Sequence, residues 1–326
     1  MKSLIRELTQ IYSPSGNEEM IRNKIINEIK PYVDSITVDN LGNVIAKKEG
    51  PGERLMLAAH MDEIGIIVTN IDENGFLRFS NIGGISPYTL IGQRVIFPGN
   101  IIGILGMEKL DNIKDLSYNK MFIDIGAKSR ESALKKVNIG DMGVYNKVFN
   151  IEEDNVISNS LDDRAGCAVL IKILKEVKSP NYNLFAVFTV QEEVGLRGAK
   201  TSAYGVNPDL AIAIDVTSTG DTPNSRKMSV ELGKGPAIKV KDRAVICHPT
   251  VKNALKDAAI RCSIPFQWEV LEHGGTDIGS IHITREGVPS GALSIPTRYI
   301  HTPAEMASLN DIKQCAQLLI ELIEVR

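Results

Sequence analysis

The chain has 326 residues, 43% hydrophobic and 24% charged, with a net charge of −3. That length allows about two domains with a sizeable core, and no apolar run approaches the ~20 residues that cross a bilayer, so disordered and membrane-spanning chains are excluded. Forty acidic against 37 basic side chains leave no basic footprint for nucleic acid or an anionic membrane surface.

Leu4, Ile5, Leu8, Ile11 and Tyr12 recur at helical spacing until Ser13-Pro14-Ser15-Gly16 breaks the pattern. A second amphipathic helix is expected from Glu18 to about Pro31, with Met20, Ile21, Ile25, Ile26 and Ile29 on one face, and then a strand region from Val38 to Ala46. Arg54 to His60 is a short continuous apolar run, as in a strand covered on both faces. From about Ile66 to Ser158 the chain consists mostly of short β-type runs: Gly65 to Thr69, Arg94 to Phe97, Ile101 to Leu105 and Met121 to Ile125. Asn74-Gly75 is a hairpin signal between two such runs, and only Ser129 to Val137 looks helical, which predicts a small β-barrel or sandwich. This stretch contains no histidine.

Beyond it the texture is α/β: a helix from Arg164 to Lys178, strands over Leu184 to Val190 and Leu210 to Asp215, a helix from Thr250 to Cys262 and a strand from Gly291 to Ile295. Ser308, with Asp311 three residues on, opens a closing helix to about Glu324. The fold class is therefore α/β. One helix-flanked sheet domain is built from residues 1–65 and 159–326 and interrupted by a β-rich insertion at 66–158. The four cysteines form no CxxC pair, and charges interrupt the N-terminus too early for a secretory apolar core, so reduced thiols in the cytoplasm are expected.

Four apolar runs end in side chains able to hold a metal: His60, the pair Glu192 and Glu193, Asp215, and His301. Ligands of open α/β sheets bind at the carboxyl ends of the strands, so these termini can converge, and Asp162 can join them from a helix start. His60, Asp162, Glu193, Asp215 and His301 supply two imidazoles and three carboxylates, too much charge for one zinc. Three carboxylates and a hydroxide balance two divalent ions, and oxygen and nitrogen donors without thiolate suit zinc, cobalt or manganese. Each residue alone has a plainer role: a lone histidine is more often a loop residue, Asp162 and Asp163 can cap a helix, Asp215 can form a turn, and Glu192 and Glu193 can be a solvated pair. The pattern recurring at every strand end is what favours a site.

With those residues in place, the chain resembles the dinuclear-metal aminopeptidases of the tetrahedral (TET) type, which include glutamyl and deblocking aminopeptidases. The resemblance rests on Ala59-His-Met-Asp-Glu-Ile-Gly65, Ser160-Leu-Asp-Asp-Arg-Ala-Gly166, Gln191-Glu-Glu-Val-Gly195, Ala213-Ile-Asp-Val216, His273-Gly-Gly-Thr-Asp277 and Pro296-Thr-Arg-Tyr-Ile-His301, and covers nearly the whole chain. It implies a zinc-peptidase-like catalytic domain with a mixed sheet. It also implies two divalent ions bridged by Asp162, with His60 and Asp215 on one and Glu193 and His301 on the other. Glu192 is then the base that activates a water between the ions, and Asp62 orients His60. The reaction it implies is removal of the N-terminal residue from short peptides. The insertion is implied to be a dimerisation domain, with dimers assembling into a tetrahedral dodecamer.

His273, Thr276 and Asp277 are candidate substrate-binding residues, against the alternative of a Gly-rich turn. His248 and His282 read as structural, and Cys167 as a small core residue. Lys239, Lys241 and Arg243 can read an acidic substrate side chain or lie on a solvated strand face. Rival readings are a related metal carboxypeptidase or amide deacylase, and a noncatalytic scaffold. A glycoside hydrolase is weaker, because adjacent carboxylates on extended backbone diverge, whereas hydrolytic pairs face each other across about 5 to 9.5 Å.

Overall fold

The computed structural model describes residues 1–325. Four parallel strands form the middle of a large mixed sheet, in the spatial order Asn183–Thr189, Arg54–His60, Leu210–Thr217 and Ser290–Arg298. Val44–Lys48 and Ser35–Val38 extend one side antiparallel, and Glu305–Ser308, Asn155–Ser158 and Phe149–Glu152 extend the other. Ala237–Lys241 and Gln267–Val270 branch from Ser290–Arg298.

Alternation along Arg54–His60 explains why the run is apolar throughout. Leu55, Leu57 and Ala59 enter the larger core beneath Leu161–Glu176, Leu309–Glu324 and the N-terminal helices, whereas Met56 and Ala58 meet Ala199 and Ala203 of Arg197–Val206 on the opposite face. Helices on both faces leave no wet side. Among the described residues no helix is long and apolar enough to cross a membrane.

The chain leaves this sheet after His60 and builds a closed barrel of Gly65–Ile71, Leu77–Ile82, Met121–Asp124, Ile101–Met107, Arg94–Phe97 and Met142–Tyr145 in spatial order. Of the two expected architectures, barrel and sandwich, the barrel is formed. Its interior is filled by Ile66, Val68, Leu77, Phe79, Phe97 and Ile123. The Asn74-Gly75 turn is closed by Asp72, whose Oδ1 accepts the amides of Asn74 and Phe76. Both crossings between barrel and sheet meet at an ion pair of buried Glu63 with the partly buried Lys147.

Several local expectations change. The strand region expected from Val38 to Ala46 divides between two strands, Ser35–Val38 and Val44–Lys48, because Asp39 Oδ1 accepts the amides of Leu41, Gly42 and Asn43 and folds the chain into a turn. Met20 points to solvent, leaving Ile21, Ile25 and Ile29 as the buried stripe of Glu19–Ile29. The helix expected over Ser129 to Val137 is shorter, Arg130–Leu134. Ser308 caps the last helix through the amides of Asn310 and Asp311, but Asp311 turns away to accept those of Gly233 and Gly235.

Candidate metal centre and active site

All four strand ends converge. Thr189 and His60 are register partners at the carboxyl ends of neighbouring parallel strands, and Asp215 lies opposite Ser294 one strand further on. Glu192 and Glu193 follow Thr189 by three and four residues, and His301 follows Arg298 by three. Asp162 enters from the start of Leu161–Glu176, where Asp162 and Asp163 have non-helical backbone and Ser160 sits at φ 60°. Ser160, Gln191, Tyr299 and His301 all occupy the left-handed region without being glycine. Each such residue costs about 1–3 kcal/mol and persists only where its surroundings dictate it.

Asp162 is the centre of the cluster. His60 Nε2 lies 2.9 Å from its Oδ1, and His301 Nε2 lies 3.2 Å from its Oδ2 and 3.1 Å from Glu193 Oε2. His60 Nε2 is also 3.8 Å from Asp215 and 4.0 Å from Glu192. Two groups with closely spaced donor atoms result, His60 with Asp162 and Asp215, and Asp162 with Glu193 and His301. They share Asp162.

The imidazoles are aimed from behind. His301 Nδ1 faces the carbonyl oxygen of Gly84 at 2.8 Å, and His60 Nδ1 faces Asp62 at 3.5 Å. Asp62 also accepts the amides of Glu192 and Glu193 and the hydroxyl of Ser15. Glu305 holds the opposite side, accepting the amides of Asp162 at 3.0 Å and His301 at 2.9 Å. The barrel contributes only backbone at this point. A Cβ on Gly83 would stand 2.6 Å from Ile64 Cγ2 and 3.1 Å from Glu193 Oε2, and one on Gly84 would stand 3.1 Å from His301 Nδ1.

Burial raises the Asp215 and Glu192 carboxyls well above their ordinary values, with further lifts from Asp162 on Asp215 and from Asp215 and Glu193 on Glu192. Glu193 is raised by burial and then by Asp162. Asp162 is lowered instead: burial opposes ionisation, but hydrogen bonds from His301 and His60 outweigh it. Burial alone would lower both histidines, yet the surrounding carboxylates carry His60 well above its usual value and His301 to about 12. So much largely buried acid at one point calls for cations. Glu193 Oε1 is buried without a hydrogen-bond partner, as a free donor atom for an ion would be. The donor set therefore fits divalent metal.

These residues open on a cleft of about 840 Å³, also lined by Leu196, Val216, Ala244, Leu271 and Ile300 with Arg243 and His273. Of the candidate substrate residues, His273 is on the wall. Thr276 and Asp277 are buried and do not line the cleft, with Asp277 accepting the Thr189 hydroxyl at 2.5 Å and raised by burial to about 6. The solvated-face alternative fails for Lys239, which is fully buried in an ion pair with Glu269, because a bulge between Lys239 and Lys241 breaks the alternation. His248 caps the helix Pro249–Arg261, His282 bonds the Ile278 carbonyl, and Cys167 is a buried thiol against the His60 carbonyl. Sequence reasoning missed Glu305, whose only signal is its place four residues after His301, and Gly83-Gly84, whose signal is the glycine pair itself.

Comparison with known proteins gives matches over most of the chain. The model of the family described as M42 glutamyl aminopeptidase matches residues 42–318. A relative from Acetivibrio thermocellus named "Putative aminopeptidase" is 56% identical over 324 residues, 99% of this chain and 98% of its own. Among solved structures, an aminopeptidase of the archaeon Desulfurococcus kamchatkensis superposes with a TM-score of 0.95 at 38% identity, covering 100% of this chain and 94% of the other. The TET1 peptidase of Pyrococcus horikoshii, which can assemble into a tetrahedron or a large octahedral shell, gives 0.88 at 35% identity, covering 99% of each chain.

Proposed function

The chain belongs to the M42 glutamyl aminopeptidase family and is a metal-dependent aminopeptidase, and from that premise we propose that it removes the N-terminal residue of short peptides at a dinuclear centre. His60, Asp162 and Asp215 would hold one ion, and Asp162, Glu193 and His301 the other. The observation that carries this reading is the sharing of Asp162 by the two donor groups. Bound divalent ions would polarise the scissile carbonyl and bring a water's pKa toward neutrality. Zinc and cobalt, with manganese a further choice, suit these oxygen and nitrogen donors.

Glu192 is the proposed general base. Its carboxyl lines the cleft beside His60 yet belongs to neither donor group. It takes the proton from the attacking water and returns it to the departing amine. Burial lifts its pKa, the direction a base working near neutral pH requires. Asp62 orients the His60 ring. The acidic floor attracts the substrate's free α-ammonium, which confines cleavage to the first residue.

The reading extends to assembly. Ile102 and Ile104 are each about half exposed, side by side on the barrel strand Ile101–Met107, and support the barrel as a dimer contact. Dimers would build a closed particle such as a tetrahedral dodecamer. The four free thiols, three of them buried, support a cytoplasmic location.

Reconstitution with zinc or cobalt should give two ions per chain, and Glu192→Gln should abolish turnover while both remain bound. Near-normal kcat in that variant removes Glu192 from the role of base, and fewer than one ion per chain defeats the dinuclear centre. Peptides with a blocked N-terminus should not be cut. Cleaving them would favour an amide deacylase or carboxypeptidase.

A further inference from the structure

We propose that the N-terminal turn from Ser13 to Glu18 belongs to the catalytic apparatus, with Glu18 as the residue that positions the loop of Glu192. The proposal rests on the reading of Glu192 as the base. Its observation is a run of four consecutive amides. Between the strand Asn183–Thr189 and the helix Arg197–Val206, the backbone N–H groups of Val190, Gln191, Glu192 and Glu193 each donate to a side-chain oxygen from elsewhere in the chain. Val190 donates to Asn43 Oδ1 at 3.0 Å and Gln191 to Glu18 Oε1 at 3.2 Å. Glu192 donates to Asp62 Oδ1 at 3.0 Å and Glu193 to Asp62 Oδ2 at 3.3 Å.

A loop linking strand to helix ordinarily gives some of its amides to water, because no ladder takes them. Here the loop's carbonyls close its own turn, Val190 accepting from Gly198, Gln191 from Arg197, and Glu192 from Gly195 and Leu196. That turn is tight. A Cβ on Gly198 would lie 2.2 Å from Asn43 Oδ1 and 2.4 Å from the Val190 oxygen. The direction in which Glu192 leaves the loop is therefore set by three acceptors from outside it.

Two of those acceptors lead back to one turn. Ser15 donates its hydroxyl to Asp62 Oδ2 at 2.6 Å, and Gly16 donates its amide to Glu18 Oε1 at 2.6 Å, so the same oxygen ties the turn to the loop. The Glu63 amide donates to the Ser13 carbonyl at 3.1 Å and the Ser13 amide donates to Glu63 Oε1 at 2.9 Å, which fixes the turn to the segment that follows His60. Gln191, the residue whose amide meets Glu18, sits at φ 54°, a conformation that a non-glycine residue keeps only under external constraint. Glu18 touches no substrate in this scheme. It acts on the base through one backbone hydrogen bond.

The test uses the full-length enzyme reconstituted with metal. Glu18→Ala is expected to lower kcat by about 10- to 100-fold, the scale of a ~1 Å misplacement, with KM within about 2-fold and ion content unchanged. Glu18→Gln keeps an oxygen that can accept both amides, and is expected to hold kcat within about 3-fold of the unsubstituted enzyme. Hydrogen exchange of residues 190–193 should be slow in the unsubstituted protein and faster in Glu18→Ala, with barrel segments unaffected. Undiminished kcat in Glu18→Ala, equal losses in the Gln and Ala variants, or fast exchange of these amides in the unsubstituted protein overturns the proposal. If Glu18→Ala does not fold, Glu18→Asp, one methylene too short to reach Gln191, takes its place with the same expected loss. An enzyme inactive on every peptide defeats the functional reading, and the exchange measurement still decides the role of Glu18.

Discussion

The barrel and the sheet domain are built on opposite principles of burial. From Ile64 to Ile157, among the described residues, the only buried side chain with a polar atom is Tyr145; the rest of the barrel core is aliphatic, Phe or Met. The sheet domain buries Asp62, Glu63, Asp163, Arg164, Lys239 and Glu305, and with them His60, Asp162 and Asp215 of the candidate site. Burying charge costs several kcal/mol per ion unless it is paired and hydrogen-bonded, whereas apolar area returns roughly 25 cal/mol per Å². One region is a self-sufficient packing unit. The other carries a stored electrostatic cost concentrated around the candidate site.

The sharpest way to break that contrast is to remove a charge from the sheet domain. Asp162→Asn should lower kcat/KM by about 10³-fold or more, roughly 4 kcal/mol of transition-state stabilisation. Ions per chain should drop, because both donor groups lose their shared member. Steady-state kinetics and metal analysis check this. A variant that keeps two ions and most of its activity would show that Asp162 is a helix-start residue.

Phe97→Ala reverses the experiment. Phe97 is 1% exposed in the barrel core, so truncation should cost about 3–5 kcal/mol of stability by thermal or denaturant unfolding, while kcat per folded site stays near the unsubstituted value. A large fall in kcat with little loss of stability would mean that the barrel serves the reaction directly.

The contact between the regions is narrow enough to probe with one methyl group. Gly83→Ala places a Cβ against Ile64 and close to Glu193 on a backbone at φ 78°, whereas Gly140→Ala, at φ 92°, meets nothing within 4 Å. Both should lose about 1 kcal/mol from the left-handed backbone. Only Gly83→Ala should also lose activity, on the order of 10-fold, by displacing Glu193 and with it the His301 side of the site. Equal activity in the two variants would make the barrel a pure scaffold.

What could be read beforehand follows the same division. Apolar runs and the Asn74-Gly75 turn announce the barrel because hydrophobic burial and turn chemistry are local signals, and the strand-end residues His60, Glu193, Asp215 and His301 announce the site because sheet topology sends them to one edge. Residues acting through backbone amides leave no such mark. Glu18 looks like the start of a helix, Asn43 like a turn residue and Glu305 like an ordinary surface acid, since none carries a spacing that reveals an amide 173, 147 or 143 positions away. Lys239 is illegible for a related reason: a single bulge breaks the inside–outside alternation on which the solvated-face alternative depends.

The smallest expected effect is the most direct measure of the stored cost. In the metal-free protein the carboxyls of Asp163, Asp215, Glu192 and Glu305 lie well above their ordinary values, burial being the first cause, and Asp277 lies at about 6. Each binds its proton more tightly folded than unfolded, so its contribution is complete below the unfolded value of about 4 and lost as pH rises through the folded one. His60 and His301 act in the same sense: their stabilisation is full below about 6.5 and is lost towards the raised folded values, about 12 for His301. Asp62, Asp162 and Glu63 are lowered and act oppositely, losing their contribution only as pH falls below about 4. The chelated protein should therefore be most stable at about pH 4–6 and lose Tm steadily toward pH 9. Metal competes with those same protons, so in the loaded protein Tm should rise from about pH 5 to pH 8. The barrel should contribute no slope across this range, because its buried Tyr145 hydroxyl, pushed up to about 12 by burial, does not titrate there. Unfolding scans with and without chelator, with hydrogen exchange on barrel segments, make the measurement. A flat curve for the chelated protein would mean that the acid cluster carries no stored cost, and the two regions would then differ in composition alone.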